Sequence, residues 1–143
     1  MNYKLTPRFF YTLPLWSYFK FRSSPSSTDF VNLRINLNSA RSGLRLLLSS
    51  ISNESLKIGL QAFTCHTVFQ AVVKAGHLPI FIDVDFNFQM DLEDLKSKVG
   101  DIDSLIITHT FGFPEKMDEI KNIIGKKIII EDCAHSFLSK ING

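Results

Sequence analysis

The sequence predicts an α/β fold in which helices cover a mainly parallel sheet. Helix-periodic segments alternate with short apolar segments from Ser42 to Glu131, at the spacing that is typical of βαβ units. In addition, Ile128 to Ile130 form a continuous apolar run, which favours a strand that is buried on both faces. The 45% of hydrophobic residues and 21% of charged residues are ordinary for a globular domain.

The predicted elements follow one another in regular order. Apolar residues recur at spacings of three and four in the predicted helices, and Gly76, Gly100 and Gly125 each follow one of them. The predicted helices span residues 42–52, 67–75, 91–99 and 114–124, the last of which starts at a proline. The predicted strands span residues 56–62, 78–84, 104–108 and 127–131. Right-handed crossovers are the expected connections between these strands.

Residues 1–28 differ in composition from the rest of the chain. They contain four basic residues, eight aromatic residues and no acidic residue, and they end in a polar, proline-containing stretch. We interpret them as a basic aromatic arm and linker, and residues 29–143 as the N-terminal part of one larger domain. We expect the arm to pack on the domain or on a partner subunit. The arm lacks the apolar core of a signal peptide. A peripheral contact with a membrane surface through its basic and aromatic residues is the alternative.

The cysteines and histidines do not indicate a metal site. Cys65 and Cys133 show no metal-ligand spacing, and the four histidines are scattered. Two distant thiols are typical of reduced cysteines, and we expect a cytoplasmic protein. Because residues 29–143 are close to electrical neutrality, their charge does not indicate a nucleic-acid surface.

Polar segments follow three of the predicted strands, at residues 63–66, 109–112 and 131–135. Open parallel sheets bind ligands beyond the carboxyl ends of their strands, so these segments form the candidate site. The alternating pattern stops at Gly143 without a closing element. We therefore expect the chain to be a truncated form of the domain.

Asp132 is the leading candidate for a functional side chain, because it follows an apolar strand. A carboxylate that is partly removed from water is costly unless it meets a cation or several hydrogen-bond donors. A pyridinium nitrogen is a suitable partner, and a carboxylate that caps the next turn is the alternative. His135 could donate to a phenolic oxygen or act as an acid or base, or it could simply bond to the backbone of a turn.

The start of the first predicted helix is a candidate phosphate site. Its exposed N–H groups, its dipole and the hydroxyl of Ser42 suit a phosphate, and Arg41 could add a charge-assisted hydrogen bond. A serine that only caps the helix is the alternative.

Cys65 and His109 are two further polar positions, and each has a functional and a structural interpretation. Cys65 beside His66 suggests a nucleophile and a base, but adjacent residues on an extended loop usually point apart. His109 is expected to be a hydrogen-bonded residue at a strand end and not a metal ligand.

Five segments, in order along the chain, resemble motifs of the DegT/DnrJ/EryC1/StrS family of sugar aminotransferases. The pairs are Ala40 to Leu44 with a Gly-Thr-x-Ala-Leu-like helix start, Gln61 to Cys65 with Pro-x-Phe-Thr-Phe, Gly76 to Val84 with Gly-x-x-Pro-x-Phe-x-Asp-Val, His109 to Pro114 with His-x-x-Gly-x-Pro, and Glu131 to His135 with Glu-Asp-x-Ala-Gln. The resemblance implies the large domain of a pyridoxal 5′-phosphate (PLP) transferase of fold type I, present here only in part.

The resemblance also implies a role for each matched residue. Asp132 would pair with the pyridine nitrogen of PLP, and His135 stands where the family has a glutamine near the ring oxygen. Arg41 and Ser42 fall where the phosphate is held, and Cys65 falls where an aromatic ring commonly stacks on the cofactor. The family's Schiff-base lysine lies well downstream of the Glu-Asp motif. Lys140 follows that motif too closely to be this lysine, so the chain is expected to lack it.

Three functions are therefore considered. The first is transfer of an amino group from an amino acid such as glutamate to a keto-sugar nucleotide, by a homodimer, with this chain inactive in isolation. The second is the related dehydration of a sugar by an enzyme that depends on pyridoxamine phosphate. The third is a non-catalytic α/β remnant or interaction module.

Overall fold

The computed structural model describes residues 37–136, which contain four helices and four strands. The helices are α1 (Ala40–Ile51), α2 (His66–Lys74), α3 (Leu92–Lys98) and α4 (Met117–Ile124), and the strands are β1 (Lys57–Gln61), β2 (Leu78–Ile82), β3 (Ser104–Thr108) and β4 (Ile128–Asp132). Two single turns of 3₁₀-helix, Val99–Asp101 and Thr110–Gly112, follow α3 and β3. The predicted alternation of helices and strands is thus confirmed.

The chain divides into two units, Met1–Gly43 and Leu44–Gly143, so α1 begins in the first unit and ends in the second. The predicted boundary after residue 28, the aromatic arm and Lys140 all lie outside the described residues. The domain organisation expected from the sequence therefore stays a prediction.

The four strands form one parallel sheet in the order β2-β1-β3-β4. β3 lies inside this sheet, and each of its five residues is buried. Its side chains alternate between two core clusters, because successive residues of a strand point to opposite faces. Leu105 and Ile107 pack with residues of α3 and α4, whereas Ile106 packs with Leu48 of α1 and Val72 of α2. One helix pair therefore covers each face, as the sequence pattern predicts.

Turn chemistry defines several ends of these elements. Gly76 and Gly125 have φ angles of 88° and 65° and end α2 and α4, because glycine adopts positive φ without strain. The carboxylate of Asp91 accepts the N–H groups of Glu93 and Asp94 and so caps α3. Glycine after a helix and aspartate before one are the signals that the sequence offers for these boundaries.

Two predicted features are wrong in detail. The prediction starts the last helix at Pro114, but α4 begins at Met117, because the N–H of Glu115 donates to His109 and its side chain is buried. β4 is also less buried than predicted: Ile129 and Ile130 are half-buried against the two opposite core clusters, and Ile128 is 50% exposed.

Candidate active site at the carboxyl edge of the sheet

The carboxyl ends of the parallel strands lie along one edge of the sheet, which is where the sequence places its polar segments. Thr108, the last residue of β3, is in register with Asp132, the last residue of β4. The hydroxyls of Thr64 and Thr108 lie 3.0 Å apart and join the loop after β1 to the end of β3. The segments that follow β1, β3 and β4 therefore share one edge.

Asp132 ends β4 and is half-buried. Its Oδ1 accepts the N–H of Ala134 at 3.0 Å, so the carboxylate caps the turn that follows. Its Oδ2 accepts no hydrogen bond from the described residues. The turn-capping role is thus observed, and it leaves one carboxylate oxygen for a further partner.

His135 lies on the turn after Asp132 and is exposed. Its Nδ1 accepts the N–H of Phe111 at 3.3 Å, and the His135 and Phe111 rings are nearly parallel with centroids 6.3 Å apart. This is the backbone contact that the sequence left open as the alternative. Because Nδ1 is an acceptor, the neutral ring carries its proton on Nε2.

Cys65 stands immediately before α2 and is exposed. Its Sγ lies 3.1 Å from the hydroxyl of Thr67, whereas the ring of the neighbouring His66 stacks on Phe69 with centroids 5.9 Å apart. These contacts take the two side chains to different partners, which does not support a cysteine nucleophile activated by His66.

Arg41 and Ser42 lie in the first turn of α1. The hydroxyl of Ser39 accepts the N–H of Ser42 at 3.1 Å and lies 2.9 Å from its hydroxyl, so Ser39 caps the helix. Arg41 is exposed. Both residues belong to the first unit, and a phosphate cradle at this helix start stays a prediction.

Three phenylalanines line this edge next to His135. The ring centroids of Phe63, Phe88 and Phe111 lie 5.0 to 6.1 Å apart, and all three side chains are exposed. Phe88 and Phe111 have φ angles of 61° and 55°, which non-glycine residues seldom adopt. Phe63, two residues before Cys65, thus belongs to an aromatic cluster at this edge.

A buried hydrogen-bonded pair, Gln61 and Glu115, lies beneath this edge and was missed in the sequence. Gln61 and Glu115 are 1% and 3% exposed, and Nε2 of Gln61 donates to Oε1 of Glu115 at 2.7 Å. The N–H of Met90 lies 3.2 and 3.0 Å from the two carboxylate oxygens. Burial raises the pKa of Glu115, although these hydrogen bonds oppose the increase. The one signal in the sequence is a polar Gln61 inside an apolar strand.

His109 connects this pair to the end of β4. Its Nδ1 accepts the N–H of Glu115 at 3.2 Å, so the neutral ring has its proton on Nε2, which lies 3.2 Å from a carboxylate oxygen of Glu131. Its own N–H donates to the carbonyl of Asp132 at 3.3 Å. The prediction that His109 is hydrogen-bonded at a strand end is confirmed.

His109, Glu131 and Cys133 place one potential ligand atom each within 4.8 Å of one another. A metal-bound histidine normally donates its second ring N–H to an acceptor, and this leaves a lone pair on the other nitrogen for the metal. In His109 the second nitrogen is itself an acceptor, so Nε2 is protonated and has no lone pair to offer. We therefore assign His109 and Glu131 to a hydrogen bond with each other.

The chain is similar in sequence to sugar-modifying enzymes. The profile of the DegT/DnrJ/EryC1/StrS aminotransferase family matches residues 30–143. The chain is 26% identical over 129 residues to GDP-perosamine synthase of Escherichia coli O157:H7, and 33% identical over 85 residues to a UDP-N-acetyl-3-dehydro-α-D-glucosamine 3-aminotransferase of Acidithiobacillus ferrooxidans. These matches cover 87% and 57% of this chain but 35% and 23% of the relatives, so the chain spans only part of their length.

The fold is shared with solved structures. The chain is similar to the Escherichia coli GDP-4-keto-6-deoxy-D-mannose-3-dehydratase with bound hydrated PLP, with a TM-score of 0.59 and 25% identity. The match covers 64% of this chain and 26% of the dehydratase. The predicted fold class is confirmed as part of the α/β domain of PLP-dependent aminotransferases. Within residues 37–136, no helix has the length and apolarity needed to cross a membrane.

Proposed function

Because the chain belongs to the DegT/DnrJ/EryC1/StrS aminotransferase family, we propose that it forms the cofactor-binding part of a PLP-dependent enzyme. The proposed reaction is transfer of an amino group from an amino acid such as glutamate to a keto-sugar nucleotide. The observation that carries the proposal is the position of Asp132 at the carboxyl end of β4, where Oδ2 accepts no hydrogen bond from residues 37–136. The names of the relatives, a perosamine synthase and a sugar aminotransferase, support the substrate class.

The chemistry of Asp132 fits the pyridine end of PLP. The N–H of Ala134 donates to Oδ1 and fixes the orientation of the carboxylate. Oδ2 can then accept a hydrogen bond from the protonated ring nitrogen. Its negative charge favours the protonated nitrogen. When bound, PLP supplies the electron-accepting ring that amino-group transfer requires.

His135 is proposed to contact the ring oxygen of PLP. Its Nδ1 accepts the N–H of Phe111, so Nε2–H is the group that would donate to this oxygen. The parallel ring of Phe111 restricts the orientation of the imidazole. We propose Arg41 and Ser42 as phosphate ligands, and Cys65 with the adjacent Phe63 as the surface against one face of the ring.

The test is a titration of PLP with the purified chain, in which binding is monitored through the visible absorbance of the cofactor. We expect a shifted spectrum and saturable binding, with an affinity about tenfold lower for Asp132→Asn, because loss of a charge-assisted contact costs roughly 1.5 kcal/mol or more. Asp101→Asn is the matched control, since Asp101 is exposed and its one side-chain contact with residues 37–136 is a 3.9 Å ion pair with Lys57. An unshifted spectrum at saturating PLP would rule out cofactor binding and favour a non-catalytic remnant.

Dehydration of a keto-sugar nucleotide is the second candidate, and the likeness to a 3-dehydratase supports it. Both functions use the same cofactor half-site. A fusion of this chain to the remaining part of a family member, incubated with glutamate and a keto-sugar nucleotide, distinguishes them by mass spectrometry: an aminated sugar supports transfer, and a deoxygenated sugar supports dehydration. The proposal includes a homodimer in the cytoplasm, and sedimentation of the chain tests the dimer.

A further inference from the structure

Gln61 and Glu115 form a buried, hydrogen-bonded polar pair at the carboxyl edge of the sheet. Buried polar groups are costly unless they are hydrogen-bonded. An ionised carboxylate without donors in such a place would cost several kcal/mol. Gln61 stands where the resembling motif has a proline, a residue that could not make this contact. The pair is therefore a feature of this chain that the family motif does not explain.

The donors and acceptors of the pair are matched one to one. Oε1 of Gln61 accepts the N–H of Thr108 at 2.6 Å, while Nε2 donates to Glu115. The carboxylate of Glu115 accepts this N–H and the N–H of Met90. The pair thus joins the end of β1, the end of β3 and the segment that leads into α3. Only one orientation of the Gln61 amide satisfies both of its own contacts.

The backbone N–H of Glu115 connects the pair to the candidate site. Its N–H donates to Nδ1 of His109, which places the ring proton on Nε2 and directs it to Glu131. The backbone N–H of His109 donates to the carbonyl of Asp132. His109 therefore holds the two adjacent acidic residues at the end of β4.

We propose that Gln61 and Glu115 are positioning residues: they fix His109 in its Nε2–H tautomer, and through it they hold the strand end that presents Asp132. The significance of Asp132 rests on the proposed function, but the effect of the pair on His109 does not. Neither side chain of the pair is proposed to contact PLP, and the proposed effect on the candidate site runs through His109.

A swap of the two side chains tests this inference. Gln61→Glu alone brings two carboxylates together. Glu115→Gln alone leaves residue 115 with one acceptor oxygen for the N–H groups of both Gln61 and Met90, so each single variant breaks the match of donors and acceptors. In the double variant Gln61→Glu/Glu115→Gln, the side-chain N–H of residue 115 donates to the carboxylate of residue 61. The N–H of Thr108 still faces an oxygen of residue 61, and the N–H of Met90 still faces an oxygen of residue 115. Gln70→Glu on α2 makes the same chemical change outside the pair.

The readout is the tautomer of His109, measured from its ring ¹⁵N shifts in the labelled chain. We expect Nε2–H in the unmodified chain, in the double variant and in Gln70→Glu, and a mixture of tautomers in each single variant. An unchanged tautomer in both single variants would overturn the inference. If a single variant does not fold, as circular dichroism would show, the folded double variant decides: Nε2–H supports the inference and Nδ1–H overturns it.

PLP affinity, measured on the same samples, separates this inference from the proposed function. We expect PLP binding to weaken about tenfold in the single variants and to return to within about twofold in the double variant. If the unmodified chain does not bind PLP, the proposed function fails, and the tautomers still decide the inference.

Discussion

Gly59 lies in the centre of β1, where the core leaves no room for a side chain. It is in register with Ile80 on one side and Leu105 on the other. A Cβ atom at this position would lie 2.8 Å from Cδ1 of Leu105 and 3.0 Å from Cδ1 of Ile102, and both of these side chains are fully buried. Gly59→Ala is therefore expected to force a shift in the core.

The size of the effect follows from two opposing contributions. Overpacking a well-packed core costs about 1–3 kcal/mol. Alanine also restricts the unfolded chain, which stabilises the folded state by about 0.4–1 kcal/mol. We therefore expect Gly59→Ala to lower the free energy of unfolding by about 1–2 kcal/mol. With a urea dependence of about 2 kcal/mol per molar, the unfolding midpoint falls by roughly 0.5–1 M.

Urea unfolding followed by circular dichroism measures this change. Gly100→Ala is the matched control: nothing lies within 4 Å of its Cβ position, so it should be neutral or stabilising by up to about 1 kcal/mol. Leu105→Val removes the nearer methyl group, and its combination with Gly59→Ala should cost at least about 0.5 kcal/mol less than the sum of the two single changes. A Gly59→Ala variant as stable as the Gly100→Ala control would refute the packing argument.

Two other buried groups give predictions of the same kind. His77 accepts the N–H of Leu56 on Nδ1 and donates from Nε2 to the carbonyl of Leu48. His77→Phe should therefore lower the free energy of unfolding in urea by about 2–3 kcal/mol, whereas His66→Phe, at an exposed position, should lower it by less than about 0.5 kcal/mol. Equal losses in the two variants would contradict the role of His77. Burial raises the pKa of Glu115, so the Glu115 carboxyl group holds its proton more tightly in the folded chain than in the unfolded chain. The free energy of unfolding therefore falls as the pH rises above the usual glutamate range. As the pH rises above the usual glutamate range, the unmodified chain should lose unfolding free energy relative to Glu115→Gln, and parallel pH profiles would show that the burial effect is absent.

The alternation of elements could be predicted because hydrophobic periodicity is a local property of the sequence. Leu105, Ile106 and Ile107 read as a strand from their own neighbourhood, and the structure buries all three. The place of Asp132 at a strand end follows in the same way from the apolar run before it. Local patterns thus account for the sheet and for the position of its leading candidate residue.

What could not be predicted depends on partners that are distant in sequence. Glu115 reads as a surface residue at a helix start, yet it is buried because Gln61 and Met90, 54 and 25 residues away, donate to it. The same contacts explain why α4 begins after Glu115 and not at Pro114. The exposure of Ile128 likewise depends on which strand lies beside β4, and a run of isoleucines does not carry that information.

Asp132 is the residue proposed to meet the pyridine nitrogen of PLP. The most direct measurement is the ¹⁵N resonance of PLP labelled at this nitrogen, recorded in the presence of the chain. We predict the shift of a protonated nitrogen with the unmodified chain and with Asp101→Asn, and the shift of an unprotonated nitrogen with Asp132→Asn. The same protonated resonance with and without the Asp132 carboxylate would contradict the account.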